Sequence, residues 1–164
     1  MKEQIAIVTD SACDLSREYI NQHDLFVLPL RLIYPEGEYR CGLDISSDEV
    51  LRRMPHEIPS TSQPGPDDID AVFDHMRARG IHHAVFVMIS SGLSGTFNMA
   101  RMYCQEHHDI EVELFDSKYL SMGLGYFVMK AVELRDGGLE FGKYASALEA
   151  YRPQVKGYFY VPTL

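Results

Sequence analysis

Residues 85–100 read VFVMISSGLSGTFNMA. An apolar run rich in β-branched and aromatic side chains gives way to a burst of serines and glycines, and then to an amphipathic pattern. A short continuous apolar run closed by turn residues predicts a strand buried on both faces, and the periodicity after it predicts a helix. Residues 83–89 are therefore expected as a strand, 93–107 as a helix, and 90–96 as the connection between them. The same pattern recurs on either side. Residues 5–9 (IAIVT) form an apolar strand that ends at Asp10-Ser11, a helix-capping pair, and 110–115 form a third strand.

The remaining elements fit around these three. Residues 25–34 are strand-like but interrupted by Pro29, which places that segment at an edge or splits it. Helices are expected at 15–22, from Ser46 onward with Glu49 at capping-box spacing, from Pro66 to about Arg79, and at 119–135 and 139–151 on either side of Gly137-Gly138. Asp67 and Asp68 suit the first turn of the Pro66 helix, where negative charge complements the dipole. Residues 60–66 (STSQPGP) are expected as a rigid loop, because each proline pushes its predecessor out of helical conformation. A last strand is expected at 157–161. Strands alternating with helices predict right-handed βαβ units and a three-layer α/β/α domain with a mostly parallel sheet. Ligands of such sheets bind beyond the carboxyl ends of the strands.

Composition narrows the partners. Acidic side chains outnumber basic ones by 24 to 15, and the net charge of −9 has no compensating basic patch, so no nucleic acid partner is expected. No apolar stretch approaches the roughly 18 residues of a membrane span, and the opening MKEQIAIVTD lacks the core of a secretory leader. A soluble cytoplasmic protein is expected, with at most transient contact with a membrane surface. Cys13, Cys41 and Cys104 have no metal or redox spacing and are odd in number, so they are read as reduced thiols, Cys13 as a small residue in a tight turn. His82-His83 and His107-His108 are adjacent pairs at the expected amino ends of strands. Neighbouring histidines point apart, so no metal and no cofactor is expected. The chain stops inside an apolar run without a polar tail, which suggests a piece of a longer protein.

The serine-rich connection admits several chemistries. Ser91 or Ser94 could cap the following helix while the glycines merely turn the chain. Gly92-Leu93-Ser94-Gly95-Thr96 approaches the nucleophile elbow of serine esterases, but Thr96 stands in place of the last glycine. All seven histidines lie at or before His108, so none follows Ser94 far enough to be that family's base. A third possibility is an anion site. The first amides of a helix lack intrahelical partners, small residues let an anion approach, and hydroxyls add donors. The hydroxyls of 60–63 would be a second wall, giving an anion site with no fixed cation. A phosphate ligand, as a sugar phosphate or nucleotide, is an alternative, although neither G-x-x-x-x-G-K-[ST] nor G-x-G-x-x-G is present.

Thr9-Asp10-Ser11-Ala12-Cys13-Asp14-Leu15, Thr61-Ser62-Gln63-Pro64, the run Ser90-Ser91-Gly92-Leu93-Ser94-Gly95-Thr96 and Phe115-Asp116-Ser117 together resemble the DegV family over essentially the whole chain. The first motif departs mildly, with Cys13 where the family often has threonine or alanine. The resemblance implies a bacterial carrier rather than an enzyme. It would hold a long-chain fatty acid in a tunnel and present it to a fatty acid kinase subunit that makes acyl phosphate. It further implies that Thr61 and Ser94 are the principal carboxylate donors, assisted by Ser62 and the backbone of Gly95, with Ser90, Ser91 and Thr96 secondary. Met88, Ile89, Leu93, Phe97, Leu120 and Met122 are the candidate tail contacts, though residues of these types in such positions are more often plain core. Residues 1–164 would be the N-terminal domain, and a C-terminal α/β domain would complete the tunnel and add basic head-group residues.

Overall fold

The computed structural model describes residues 4–158 and residue 160. Its main sheet is parallel and four-stranded, in the order β2-β1-β6-β7, built from β1 (Ile5–Asp10), β2 (Phe26–Leu28), β6 (His83–Met88) and β7 (Glu111–Asp116). Why β1 and β6 read as unbroken apolar runs is visible in their two faces. Ile5, Ile7, Val85, Val87 and Ile89 pack with α5 (Ser121–Asp136) and α6 (Tyr144–Tyr151). Ala6, Val8, Ala84, Phe86 and Met88 turn the other way, toward α3 (Pro66–Ala78) and α4 (Thr96–Glu106). The expected three-layer α/β/α arrangement is therefore present.

Pro29 splits its segment. β2 ends at Leu28, and the chain moves into a second sheet of β3 (Arg31–Tyr34), β4 (Gly37–Arg40) and β5 (Ser60–Ser62), antiparallel in the order β4-β3-β5. This sheet was not expected, and the rigid loop predicted at 60–66 is in its first half the strand β5. Three polar residues carry no alternating pattern, so nothing in STS announces a strand; its pairing with β3 does. In the chain α1 (Arg17–Gln22) lies between β1 and β2 and α2 (Ser47–Arg53) between β4 and β5, with Ser46 Oγ accepting the Glu49 N–H at 3.2 Å as the capping spacing predicts.

Four helix starts differ from expectation: α1 begins at Arg17, two residues late, after Ser16, whose Oγ accepts the Tyr19 N–H. α4 begins at Thr96 rather than Leu93, because residues 90–94 close a turn on themselves. α5 begins at Ser121, two residues late. α6 begins at Tyr144 rather than near Leu139, because Gly142 adopts φ +89° and the Glu113 carboxylate of β7 accepts the N–H groups of Gly142, Tyr144 and Ala145. The strand expected at 157–161 lies partly outside the described residues; Gly157, Tyr158 and Tyr160 belong to no strand.

Asp10 ends β1 fully buried. Its Oδ1 accepts the Ala12 N–H at 3.0 Å and its Oδ2 the Ile89 N–H at 2.7 Å. Burial pushes its carboxyl up to about 6, against the downward pull of those two N–H groups. The unfolded chain titrates the same group near pH 4, so between about pH 4 and 6 folding takes up a proton and stability falls as pH rises, levelling off above. Denaturant titrations across this window should show the wild type losing stability relative to the non-titrating Asp10→Asn variant. Parallel curves for the two proteins would contradict the assignment.

Candidate functional site

β1 and β6 are neighbours, yet the chain leaves β1 toward β2 on one side and leaves β6 toward β7 on the other. Connections that depart in opposite directions open a crevice at the carboxyl ends of the two strands. The serine-rich turn sits there. Ser90 anchors it: its N–H donates to Tyr119 O at 2.9 Å, and its carbonyl accepts the N–H groups of Leu93 and Ser94 at 2.9 and 3.1 Å. Ser90 Oγ accepts the Gly92 N–H at 3.2 Å. Ser94 Oγ lies 2.8 Å from Thr96 Oγ1 and accepts the Thr96 N–H at 3.3 Å. Gly95, not a serine, occupies the position before α4 and offers no side-chain cap. Ser94 rather than Gly95 therefore supplies the side-chain acceptor at the start of α4, and Ser91 and Ser94 are both half-buried in the turn.

The second hydroxyl segment meets it through Gln63. A Cβ at position 95 would come within 2.5 Å of Gln63 Oε1, so the tip of the Gln63 side chain reaches the start of α4. Thr61 is exposed and Ser62 half-buried, Ser62 Oγ donating to Gln63 O at 3.2 Å. Their placement depends on Arg31. In register with Ser62 across the β3–β5 pair, Arg31 donates from Nε and a terminal nitrogen to Asp68 Oδ2 at 3.0 and 2.7 Å; that oxygen also accepts the Gly65 N–H at 2.8 Å. Gly65 has no room for a side chain, because a Cβ there would lie 2.3 Å from the Arg31 guanidinium. Asp68, expected only to complement a helix dipole, is in fact a buried partner that ties β3, the 60–65 segment and α3 together.

Asp116 and Lys118 complete the turn from the far side of the sequence. Asp116 Oδ1 accepts the N–H groups of Ser91 and Lys118, each at 3.1 Å. Lys118 Nζ donates to Asp116 Oδ2 at 2.6 Å and to Ser91 Oγ at 3.0 Å. Partial burial pushes the Asp116 carboxyl up, but Lys118 and Ser91 outweigh it and hold the group below its ordinary value. The expectation of an anion site without a fixed cation is corrected by this lysine. Ser94 Oγ has Thr96 Oγ1 as its hydroxyl partner, and Ser91 Oγ accepts from the Lys118 ammonium that Asp116 also holds. His82 and His83 precede or open β6 and His107 and His108 precede β7, at the amino ends away from the turn. Cys13 is buried under α5 with its thiol pushed up to about 11 by that burial, so it is packing rather than a nucleophile.

Of the expected tail contacts, Leu93 and Leu120 line a cleft of about 470 Å³ with Ser90, Gly92, Lys118 and Tyr119. Met88 and Ile89 are packed into the two core clusters, Phe97 is half-buried against one of them, and Met122 is exposed. Gln63, Arg31, Asp68 and Lys118 are the site residues that sequence reasoning missed; the glycines at 65 and 95, each beside a proline or serine motif, are the signals that something packs there. Breaking a buried ion pair from one side costs about 3–5 kcal/mol, less where one partner is partly exposed as Arg31 is. Arg31→Met should therefore lose about 2 kcal/mol in urea unfolding and speed amide exchange at residues 61–63 more than in β6. Unaltered exchange at 61–63 would show that Arg31 does not hold the segment.

Known proteins share this chain's sequence and fold. A model of the DegV family, described as uncharacterised, matches residues 4–164. A DegV domain-containing protein of Clostridium perfringens is 40% identical over 162 residues, covering 99% of this chain and 58% of that protein. A structure described as DegV, a fatty acid binding protein from Bacillus subtilis, is 28% identical with a TM-score of 0.85, over 93% of this chain and 55% of the other. A stearic acid-binding protein from Eubacterium ventriosum is 32% identical with a TM-score of 0.80, over 90% of this chain and 53% of the other. The chain spans a little over half the length of these relatives. With a family match from residue 4 to residue 164 and a relative 40% identical over nearly all of it, this chain belongs to the DegV family.

Proposed function

We propose that this chain binds a long-chain fatty acid, with the carboxylate held between the 90–96 turn and β5. The observation that carries the reading is the approach of Gln63, next to β5, to Gly95 at the N-terminus of α4, which supports bringing the two hydroxyl segments to one ligand. The relatives from Bacillus subtilis and Eubacterium ventriosum, described as binding fatty acids, support it. Thr61 and Ser94 are the principal donors, Ser62 and the Gly95 backbone assist, and Ser90, Ser91 and Thr96 shape the turn.

The tail sets affinity and the hydroxyls set orientation. Burying about sixteen carbons at roughly 0.8 kcal/mol each gains on the order of 12 kcal/mol before ordering costs. A hydrogen bond to a carboxylate contributes about 1.5–3 kcal/mol. In this reading the protein is a cytoplasmic carrier. It makes no bond itself and offers the acid to a kinase partner that phosphorylates the carboxylate, and the region beyond residue 164 in its longer relatives would form the other wall of the tunnel. No helix among the described residues is long and apolar enough to cross a membrane.

The Thr61→Ala/Ser94→Ala double variant should bind fatty acid more weakly by about 2–4 kcal/mol while melting close to the wild type. Mass spectrometry of copurified lipid beside a thermal melt reads both. Undiminished lipid in the double variant would remove these residues from the site.

A further inference from the structure

We infer that Lys118 reads the charge of the ligand head group at the serine turn, a role that rests on the fatty-acid reading above. The hydroxyls around the crevice cannot discriminate an acid from an alcohol by themselves, because a hydroxyl both donates and accepts and serves either head group. An ammonium only donates, and it attracts a carboxylate over a neutral head. Lys118 is placed for that task. Its Nζ bonds Ser91 Oγ at 3.0 Å and Asp116 Oδ2 at 2.6 Å, which uses two of its three N–H donors and leaves one for a ligand.

The remaining geometry supports this use. Asp116 is mostly buried and already satisfied by two backbone N–H groups, so its charge is partly absorbed inside the protein while the lysine, with its side chain 59% exposed, faces outward. The same carboxylate fixes the lysine in place, which lowers the entropy lost when a ligand engages it. Lys118 also lines a cleft with Ser90, Leu93 and Leu120, so a cation stands beside apolar walls on the same turn that carries Ser94. Because the ammonium is exposed, its contribution is modest and is screened by salt.

Equilibrium dialysis of stearic acid and stearyl alcohol against the wild type, Lys118→Met and Lys118→Arg, at low and high salt, tests the inference. Lys118→Met should lose about three- to tenfold in affinity for the acid and nothing for the alcohol; Lys118→Arg should keep most of the acid affinity. Salt should weaken acid binding to the wild type and leave Lys118→Met unchanged. Acid binding by Lys118→Met equal to the wild type, or an equal loss for acid and alcohol, would overturn the role of Lys118 and leave the fatty-acid reading standing. A wild type that binds neither lipid would overturn the fatty-acid reading, and the role of Lys118 with it.

Discussion

At the end of β1 the chain buries a carboxylate, and Asp10 meets that cost with two backbone donors, Ala12 from its own turn and Ile89 from the strand beside it. A charge taken out of water is retained only where hydrogen bonds replace its hydration. Here those bonds join the ends of the two central strands at the point where the connections diverge. The Ile89 N–H would otherwise be left without a strand partner just as β6 gives way to the turn, and the side chain of Asp10 stands in for the missing strand. Everything that faces the crevice is placed relative to this junction.

From it the turn is built in layers. The Ser90 N–H is held by the Tyr119 carbonyl, the Ser91 N–H by Asp116, and Ser117 ties its own loop through Tyr119. Arg152, after α6, donates to the carbonyls of Asp116 and Ser117, so the segment after α6 braces the loop that holds the turn. On the other side Arg31 and Asp68 lock the 60–65 segment to α3, and Gly95 lets Gln63 approach. A rigid frame of this kind matters for a hydroxyl site, because serine and threonine contacts are individually weak and depend on being oriented before the ligand arrives.

How much of this was legible in the sequence follows from burial. β1, β6 and β7 and the helices over both faces were readable, because a strand packed on two sides must be apolar throughout and its flanking turns must be polar. Pro29 announced the break after β2. The small sheet was not readable, since β5 is three polar residues whose only evidence is the register with Leu32 and Arg31. The start of α6 was misplaced because its cap, Glu113, comes from another strand. Ser94, Gly95 and the Thr61 motif were found as patterns of small hydroxyl residues, whereas Lys118 was passed over because its contact with Ser91 spans 27 residues of sequence. Local chemistry was visible; long-range pairing of charges was not.

The crystal structure of this chain with stearic acid tests the central claim most directly. The carboxylate is predicted within hydrogen-bond distance of the Thr61 and Ser94 hydroxyls, between the 90–96 turn and β5, with the tail leading away from the sheet edge. A well-ordered acid whose carboxylate lies elsewhere, with the two hydroxyl segments unoccupied, would contradict the account.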